Sequence, residues 1–158
     1  MKKIFNTGLS WLWVAVFIFA IDRITKICMQ HFLTAYAPYP MTKFLNFTLA
    51  YNRGAAFSFL DTAWSGWLFG LIAVIVSVVI FVILFRTAAK QYWNNVALNF
   101  VLGGALGNLW DRIQYGYVID FLDFYIPKWH WPDFNFADAA ICTGAFMLVL
   151  EAFKKQKK

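Results

Sequence analysis

The sequence has few of the residues on which soluble enzymes usually depend. Only 14% of its 158 residues are charged, eight of them are acidic, and there are two cysteines and two histidines. With 61% hydrophobic and 21% aromatic residues, this composition excludes an ordinary soluble globular protein. We therefore expect residues 1–158 to form a single integral membrane domain.

The scarcity of cysteine and histidine excludes several kinds of site. Cys28 and Cys142 cannot form a disulfide framework or a zinc site. Both lie in apolar segments, so we expect them to be core residues. His31 and His130 belong to no H-E-x-x-H motif, which argues against a zinc peptidase. The sequence predicts neither a metal nor a cofactor.

Serine catalysis has little support. Ser58 could act with Lys26 or Lys43 as base, because a lysine desolvated by the membrane can lose its proton. Nothing in the spacing of these residues favours that arrangement.

The positive charges flank the apolar segments instead of clustering between them. The net charge is +6, which could suggest a nucleic-acid partner. A basic residue at the end of an apolar segment is better explained by the positive-inside pattern of membrane proteins, so we expect no nucleic acid. The flanking residues are Lys2, Lys3, Arg86, Lys90, Lys154, Lys155, Lys157 and Lys158.

The sequence predicts four transmembrane helices, at about 9–31, 67–85, 92–112 and 136–153. Hydropathy alone would identify only the second, and the third, whose apolar core is shorter, could by length be a buried helix of a soluble protein, so its assignment depends on its neighbours. Trp67–Phe85 is the clearest, with 19 largely apolar residues, long enough to span a bilayer. The first segment also resembles a cleavable signal peptide, because a lysine pair precedes an apolar run. It lacks a small-x-small cleavage site and is followed at once by Asp22-Arg23, so we expect a retained helix.

The two longer connections differ in pattern. In residues 44–52, apolar and polar residues alternate, which indicates a strand with one apolar face. Arg53-Gly54 would form a turn, and residues 55–60 the partner strand. We therefore predict a small extracytoplasmic sheet at about 44–60. Residues 114–134 are rich in aromatic residues and proline, which is typical of an interfacial segment lying on the bilayer.

Basic residues predict the orientation of the helices. Both termini and the loop after the second helix contain eight of them, whereas the other two connections contain Lys43, Arg53, Arg112 and Lys128. The positive-inside rule places both termini in the cytoplasm. The longer connections would then lie outside a bacterial inner membrane.

Five of the eight acidic residues lie within residues 103–138. An ionisable residue at membrane depth costs about 2.5 to 3.5 kcal/mol, so such a cluster needs a reason. Two aspartates brought together in a partly dry site can share one proton. We therefore hypothesise that Asp120 and Asp138 pair to hydrolyse a peptide bond at the membrane surface. The alternative is a small transporter or channel with acidic residues lining its outer mouth.

Polar residues and glycines also recur within the helices. Asp22 and Lys26 lie four residues apart on one helical face, either as a snorkelling pair that anchors the helix end or as a brace for the site. Gly103 and Gly107 have the small-x-x-x-small spacing that lets helices approach closely in lipid. Asn108 and Arg112 form a polar stripe facing a cavity or a partner helix.

Four blocks of sequence resemble the signature of bacterial lipoprotein signal peptidase (signal peptidase II). They are Asn52-Arg53-Gly54-Ala55-Ala56-Phe57-Ser58, Gly103-Gly104-Ala105-Leu106-Gly107-Asn108-Leu109-Trp110-Asp111-Arg112, Gly116-Tyr117-Val118-Ile119-Asp120-Phe121 and Phe134-Asn135-Phe136-Ala137-Asp138. The resemblance covers essentially the whole chain. It implies a monomeric four-helix aspartyl endopeptidase that cleaves signal peptides from diacylglyceryl-modified prolipoproteins immediately before the lipidated cysteine, in contact with membrane phospholipid.

The resemblance also assigns roles to individual residues. Asp120 and Asp138 match the catalytic pair. The positions that the family uses to shape the site and hold substrate are matched by Asp22, Lys26, Asn52, Gly54, Asn108, Arg112, Asn135 and Ala137. Arg53 receives no role, and we expect Asp123 and Asp133 to lie on a solvated surface.

Overall fold

The computed structural model describes residues 6–54, 65–127 and 129–156. Within these ranges the chain forms α1 (Leu12–Phe32), α2 (Ser65–Arg86), α3 (Tyr92–Tyr115) and α4 (Phe136–Gln156). A short 3-10 turn, Gly8–Trp11, precedes α1. Each predicted helix is present, with ends within three residues of the expected positions.

Helix α3 is the centre of the bundle and packs against the other three helices. Its glycines permit this close packing. A Cβ atom on Gly103 would lie 2.7 Å from the carbonyl oxygen of Ala15 in α1. A Cβ atom on Gly104 would collide with the carbonyl oxygen of Ala137 in α4. The small residues therefore act as the sequence pattern indicated, by letting helix backbones approach.

The outer faces of the bundle are apolar. Helix α2 exposes large hydrophobic side chains along its length, including Trp67, Leu71 and Val78, which suits lipid contact. By length and composition, Gly66–Arg86 and Phe136–Lys154 can each cross a membrane, whereas helices α1 and α3 do not meet the same criterion. Cys28 and Cys142 are exposed, so their predicted place in the core was wrong.

A four-stranded antiparallel sheet adjoins the bundle. Its strands are β1 (Tyr39–Pro40), β2 (Leu45–Asn52), β3 (Val118–Ile126) and β4 (Trp129–His130), in the order β1-β2-β3-β4. The pairing of β2 with β3 is irregular between Phe47 and Ala50. This irregularity interrupts the alternation predicted for β2, so that Asn46 and Leu49 are both buried.

Strand β2 pairs with a segment that the sequence analysis had not predicted to be a strand. The predicted partner, residues 55–60, lies outside the described residues. In the described part of the chain, β2 pairs with β1 and with β3, and the sequence analysis had placed β3 within an aromatic interfacial connection. Because β3 is largely buried on both faces, its residues lack the clear alternation of a half-exposed strand.

Candidate active site

Asp120 lies in β3 and is almost fully buried, with 1% of its surface exposed. Strand β3 begins directly after α3, because Gly116 adopts the left-handed conformation (φ 78°) that ends the helix. One carboxylate oxygen of Asp120 accepts a hydrogen bond from Asn135 Nδ2 at 2.7 Å, and the other accepts one from Asn52 Nδ2 at 2.9 Å. Both donors are neutral amides. The Asp120 carboxylate is therefore held by neutral hydrogen-bond donors, and neither of these donors is a cation.

Asp138 lies in the first turn of α4 and forms a reciprocal cap with Asn135. The backbone N–H of Asp138 donates to Asn135 Oδ1 at 3.0 Å, and the backbone N–H of Asn135 donates to Asp138 Oδ2 at 3.2 Å. This is the geometry of a capping box, in which the residues before and within the first turn satisfy each other's free N–H groups. The Asn-x-Ala-Asp spacing thus begins the helix and fixes the Asp138 carboxylate.

Two asparagines connect Asp120 with Asp138. Asn135 contacts both carboxylates, through its side chain and its backbone respectively. Asn108 Nδ2 donates to Asp138 Oδ1 at 2.7 Å, while Asn108 Oδ1 accepts from Asn135 Nδ2 at 3.1 Å. We call these four residues, Asp120, Asn135, Asn108 and Asp138, the amide network. The two predicted catalytic residues therefore converge on one site.

The environment of Asp120 favours its protonated form. Burial, followed by the nearby negative charge of Asp138, raises the pKa of Asp120 to about 8. The hydrogen bonds from Asn52 and Asn135 oppose this effect, because they stabilise the ionised carboxylate. At neutral pH the Asp120 carboxyl can thus retain a proton that it could donate.

A second pair of aspartates is held by cations. Lys26 Nζ lies 2.9 Å from Asp22 Oδ2 and 2.8 Å from Asp111 Oδ2, and Asp111 also pairs with Arg23. We call Asp22, Arg23, Lys26 and Asp111 the ionic network. Asp22, Lys26 and Asp111 are fully buried. Asp22 and Lys26 therefore form an internal brace, and not the exposed snorkelling pair that the sequence also allowed.

The ionic network supports the amide network directly through one hydrogen bond, and Asp22 also packs against the backbones of α4 and α3. Lys26 Nζ donates to Asn108 Oδ1 at 3.0 Å. The backbone N–H of Ala137 donates to Asp22 Oδ1 at 3.0 Å. A Cβ atom on Gly107 would lie 2.5 Å from Asp22 Oδ2, so a larger residue would displace Asp22. Helix α1 thus holds the start of α4, where Asp138 lies.

The other predicted site residues border these networks. Arg112 lies one turn after Asn108 and donates to its backbone oxygen at 3.3 Å, with the guanidinium 5.7 Å from the Phe69 ring centroid. Asn52 Oδ1 accepts from the backbone N–H of Gly54 at 3.0 Å. This local turn fixes the Asn52 amide, which contacts Asp120. All ten site residues predicted from the sequence therefore surround one region.

The expected solvated setting of Asp123 is wrong. Asp123 is 4% exposed and accepts from Asn46 Nδ2 at 2.8 Å, while its other oxygen lies 2.8 Å from His130 Nδ1. Asp133 is half-buried, and burial together with Asp123 raises its pKa to about 6. Both carboxylates line a cavity of about 570 Å³ that also reaches Asp120.

Sequence reasoning missed the parts of the site that distant segments assemble. Arg23 and Asp111 are 88 residues apart in the chain, and Asn46 and Asp123 are 77 apart. The first pair could have been anticipated in part, because a charged residue within an apolar helix requires a partner. The second pair depends on the register of β2 with β3, for which the sequence offered no signal. In residues 6–54, 65–127 and 129–156, no group of three or more His, Cys, Asp or Glu side chains could hold a metal ion.

The chain is similar to known peptidases over almost its full length. Residues 14–154 match the family described as signal peptidase (SPase) II. A lipoprotein signal peptidase of Photorhabdus laumondii is 46% identical over 155 residues, covering 96% of this chain and 92% of that protein. One from Yersinia pestis is 47% identical over 154 residues, covering 96% and 91%.

Solved structures agree with the sequence comparison. Two structures described as bacterial membrane enzymes superpose with TM-scores of 0.84 and 0.81, each at 27% identity. The first alignment covers 93% of this chain and 89% of the other, and the second covers 92% and 93%. These comparisons do not support the transporter alternative, and they identify a membrane protein. The chain belongs to the signal peptidase II family.

Proposed function

We propose that the protein is an aspartyl endopeptidase that removes signal peptides from diacylglyceryl-modified prolipoproteins, cutting immediately before the lipidated cysteine. Membership of the signal peptidase II family supports the substrate class. The observation that carries the aspartyl mechanism is the amide network, in which Asn135 contacts both Asp120 and Asp138. Two carboxylates in one partly dry site can share a proton and act as acid and base.

The environments of the two carboxylates suggest different starting charges. Asp138 lies in the first turn of α4, where the helix dipole and free N–H groups favour an anion, and it is only partly buried. Asp120 is fully buried, receives only neutral donors and has a pKa raised to about 8. We therefore assign Asp138 as the general base and Asp120 as the general acid of the resting enzyme.

The reaction then needs no covalent intermediate. Asp138 accepts a proton from water as the water oxygen attacks the scissile carbonyl, and Asp120 donates its proton to the carbonyl oxygen. The resulting tetrahedral intermediate breaks at the C–N bond. Asp138 returns its proton to the departing nitrogen, and Asp120 recovers a proton as the carboxyl product forms.

The surrounding residues hold these groups in position. Asn108 and Asn135 orient the carboxylates, and Asn52, fixed by Gly54, holds Asp120. Asp22 and Lys26 fix Ala137 and Asn108 from α1. Arg112 contributes positive charge beside Asp120 and Asp138, which we call the dyad. The geometry of a reacting pair must be held closely to retain the benefit of proximity.

The membrane setting is part of the same proposal. We propose that a single domain of four helices crosses the cytoplasmic membrane, with both termini in the cytoplasm and the dyad near the outer leaflet. The acyl chains of the substrate would remain in the lipid while its signal helix packs against the bundle, and the protein would act as a monomer. Reporter fusions to each terminus test the orientation.

The decisive experiment uses a purified precursor that carries the diacylglyceryl group. Incubation with the wild-type protein should release the signal peptide and leave the lipidated cysteine at the new N-terminus, as measured by mass spectrometry. The same precursor without the lipid should remain largely uncleaved. An intact lipidated precursor after incubation with folded protein would contradict the proposal.

A further inference from the structure

A cavity of about 570 Å³ extends from Asp120 across the sheet. Its lining includes Tyr36 and Tyr51, whose rings contact each other, and Trp131. At one place the cavity reaches Asp120, and elsewhere it reaches Asp123 and Asp133, which take no part in the proposed reaction. None of the lining residues belongs to a helix.

The position of the cavity indicates which part of a substrate it receives. In the proposed function, the signal peptide is a helix that packs within the membrane against the bundle. The cavity is lined by the sheet and its connecting segments alone and reaches Asp120, so a signal helix packed against the bundle would not occupy it. A peptide that crosses the dyad would therefore place the residues after the scissile bond in this cavity.

The cavity has an acidic region formed by Asp123 and Asp133. Asp123 is 4% exposed and is held by Asn46 and His130. Two basic residues also line the cavity, namely His130, whose side chain is 62% exposed, and Arg53, which adjoins Asn52. Charges in a partly buried site interact more strongly than in water, so the two carboxylates can distinguish a basic side chain from an acidic one.

We infer that this cavity is the subsite for the residues that follow the lipidated cysteine, and that Asp133 and Asp123 make it favour a basic over an acidic side chain there. The inference rests on the proposed peptidase activity and adds a specificity determinant to it. Asp133 is the better residue to test, because Asp123 is bound to both Asn46 and His130 within the sheet.

The test compares three lipidated precursors that differ only in the residue directly after the cysteine, which is Lys, Ser or Glu. We expect kcat/KM to decrease in the order Lys, Ser, Glu, with about a tenfold ratio between Lys and Glu, which corresponds to about 1.4 kcal/mol. Asp133→Asn should reduce that ratio to about threefold or less. Glu151→Gln removes the same charge from α4, away from this cavity, and should leave the ratio unchanged.

A pH series on the wild-type protein tests the inference without a variant. The pKa of Asp133 is about 6, raised by burial and by Asp123 and lowered by His130. Protonation of Asp133 removes its charge, so the preference for Lys over Ser should weaken between pH 7.5 and pH 5. The ratio of two precursors cancels the effect of pH on the dyad, which acts on both alike.

The possible outcomes separate the two proposals. Equal kcat/KM for the three precursors would overturn the inference while leaving the peptidase activity intact. So would an unchanged Lys-to-Glu ratio in Asp133→Asn. If the wild-type protein cleaves none of the precursors, the proposed function is overturned and the inference with it.

Discussion

The protein contains two pairs of aspartates that differ in the partners that hold them. In the ionic network, Asp22 and Asp111 share Lys26, and Asp111 also pairs with Arg23. In the amide network, Asp120 and Asp138 receive hydrogen bonds from asparagine side chains and from the backbone N–H of Asn135. The same residue type is thus placed in two environments within one small protein.

The difference shows how a protein separates a structural carboxylate from a reactive one. A cation beside a carboxylate fixes its negative charge, which makes it a dependable acceptor but a poor proton donor. A neutral amide holds a carboxylate in place without fixing its charge, so the group can still gain and lose a proton. Lys26 donates to Asn108, so the ionic network supports the amide network without a direct ion pair to Asp120 or Asp138 within 4.0 Å in the described part of the chain.

The largest expected effect comes from replacing either carboxylate of the amide network with a neutral amide. Asp120→Asn and Asp138→Asn should each reduce kcat by about 10⁴-fold, because each removes a proton donor or acceptor from the reaction. Both changes keep the size of the side chain, so thermal unfolding in detergent should stay close to that of the wild type. Cleavage of the lipidated precursor by either folded variant at a rate near that of the wild type would show that the dyad is wrongly assigned.

Breaking the ionic network should instead affect stability. Lys26→Met leaves Asp22 and Asp111 buried with less compensation, which should lower the free energy of unfolding by about 3 to 5 kcal/mol. Asp22→Asn in the Lys26→Met background should restore part of that loss, because it removes one of the uncompensated charges. Denaturant titration in detergent measures both changes.

The matched control for Lys26→Met is Lys154→Met. Lys154 is exposed, and its Nζ lies 5.0 Å from the Trp93 ring centroid. Removing such an exposed cation should cost about 1 kcal/mol or less. If Lys26→Met is as stable as Lys154→Met, the ionic network is not the brace that its geometry indicates.

A smaller effect tests which carboxyl donates the proton. Asn52→Ala removes a donor that stabilises ionised Asp120, so the pKa of Asp120 should rise above about 8. If Asp120 is the general acid, the alkaline limb of the pH–rate profile should move up by about one pH unit, since one pH unit corresponds to about 1.4 kcal/mol. The maximal rate should decrease by about 10-fold to 100-fold, because Asp120 is held less firmly.

The control for this shift is Asn46→Ala. Asn46 donates to Asp123 in the same sheet but does not contact Asp120. Its removal should leave the alkaline limb in place. Movement of the acid limb in Asn52→Ala, with the alkaline limb fixed, would assign Asp120 as the base and reverse the proposed roles. The observed limbs describe the coupled pair and not either residue alone.

The comparison also explains how far the sequence could predict the site. Helix α2 was predictable because hydropathy is a local property, whereas the Asn-x-Ala-Asp block was recognised by its resemblance to the family signature and not by its capping interactions. Strand β3 was missed because burial on both faces removes the alternating pattern of a half-exposed strand. Asp123 was misplaced for a related reason, since its burial depends on Asn46 across the sheet.

Only one of the ion pairs in the ionic network could be predicted from the sequence. Asp22 and Lys26 were recognisable because they are four residues apart on one helix. Asp111 and Arg23 were not paired in advance, because their contact depends on how α1 packs against α3. That packing requires the glycines of α3. Their spacing is recognisable in the sequence, but the residues that they contact are not.

The smallest expected effect concerns Gly116, which separates Asp111 of the ionic network from Asp120 of the amide network along the chain. Its φ of 78° is unfavourable for other residues, while a Cβ atom there would meet nothing within 4 Å. Gly116→Ala should therefore lower the free energy of unfolding by about 1 kcal/mol, through backbone conformation alone.

The control is Gly70→Ala, inside α2 with only ordinary contacts for its Cβ, which should be neutral or slightly stabilising. If Gly116→Ala retains activity within about threefold, the two networks keep their geometry independently of this turn, because a factor of three corresponds to less than about 1 kcal/mol. A much larger loss of kcat at unchanged stability would mean that the turn itself sets the position of Asp120 relative to Asp111.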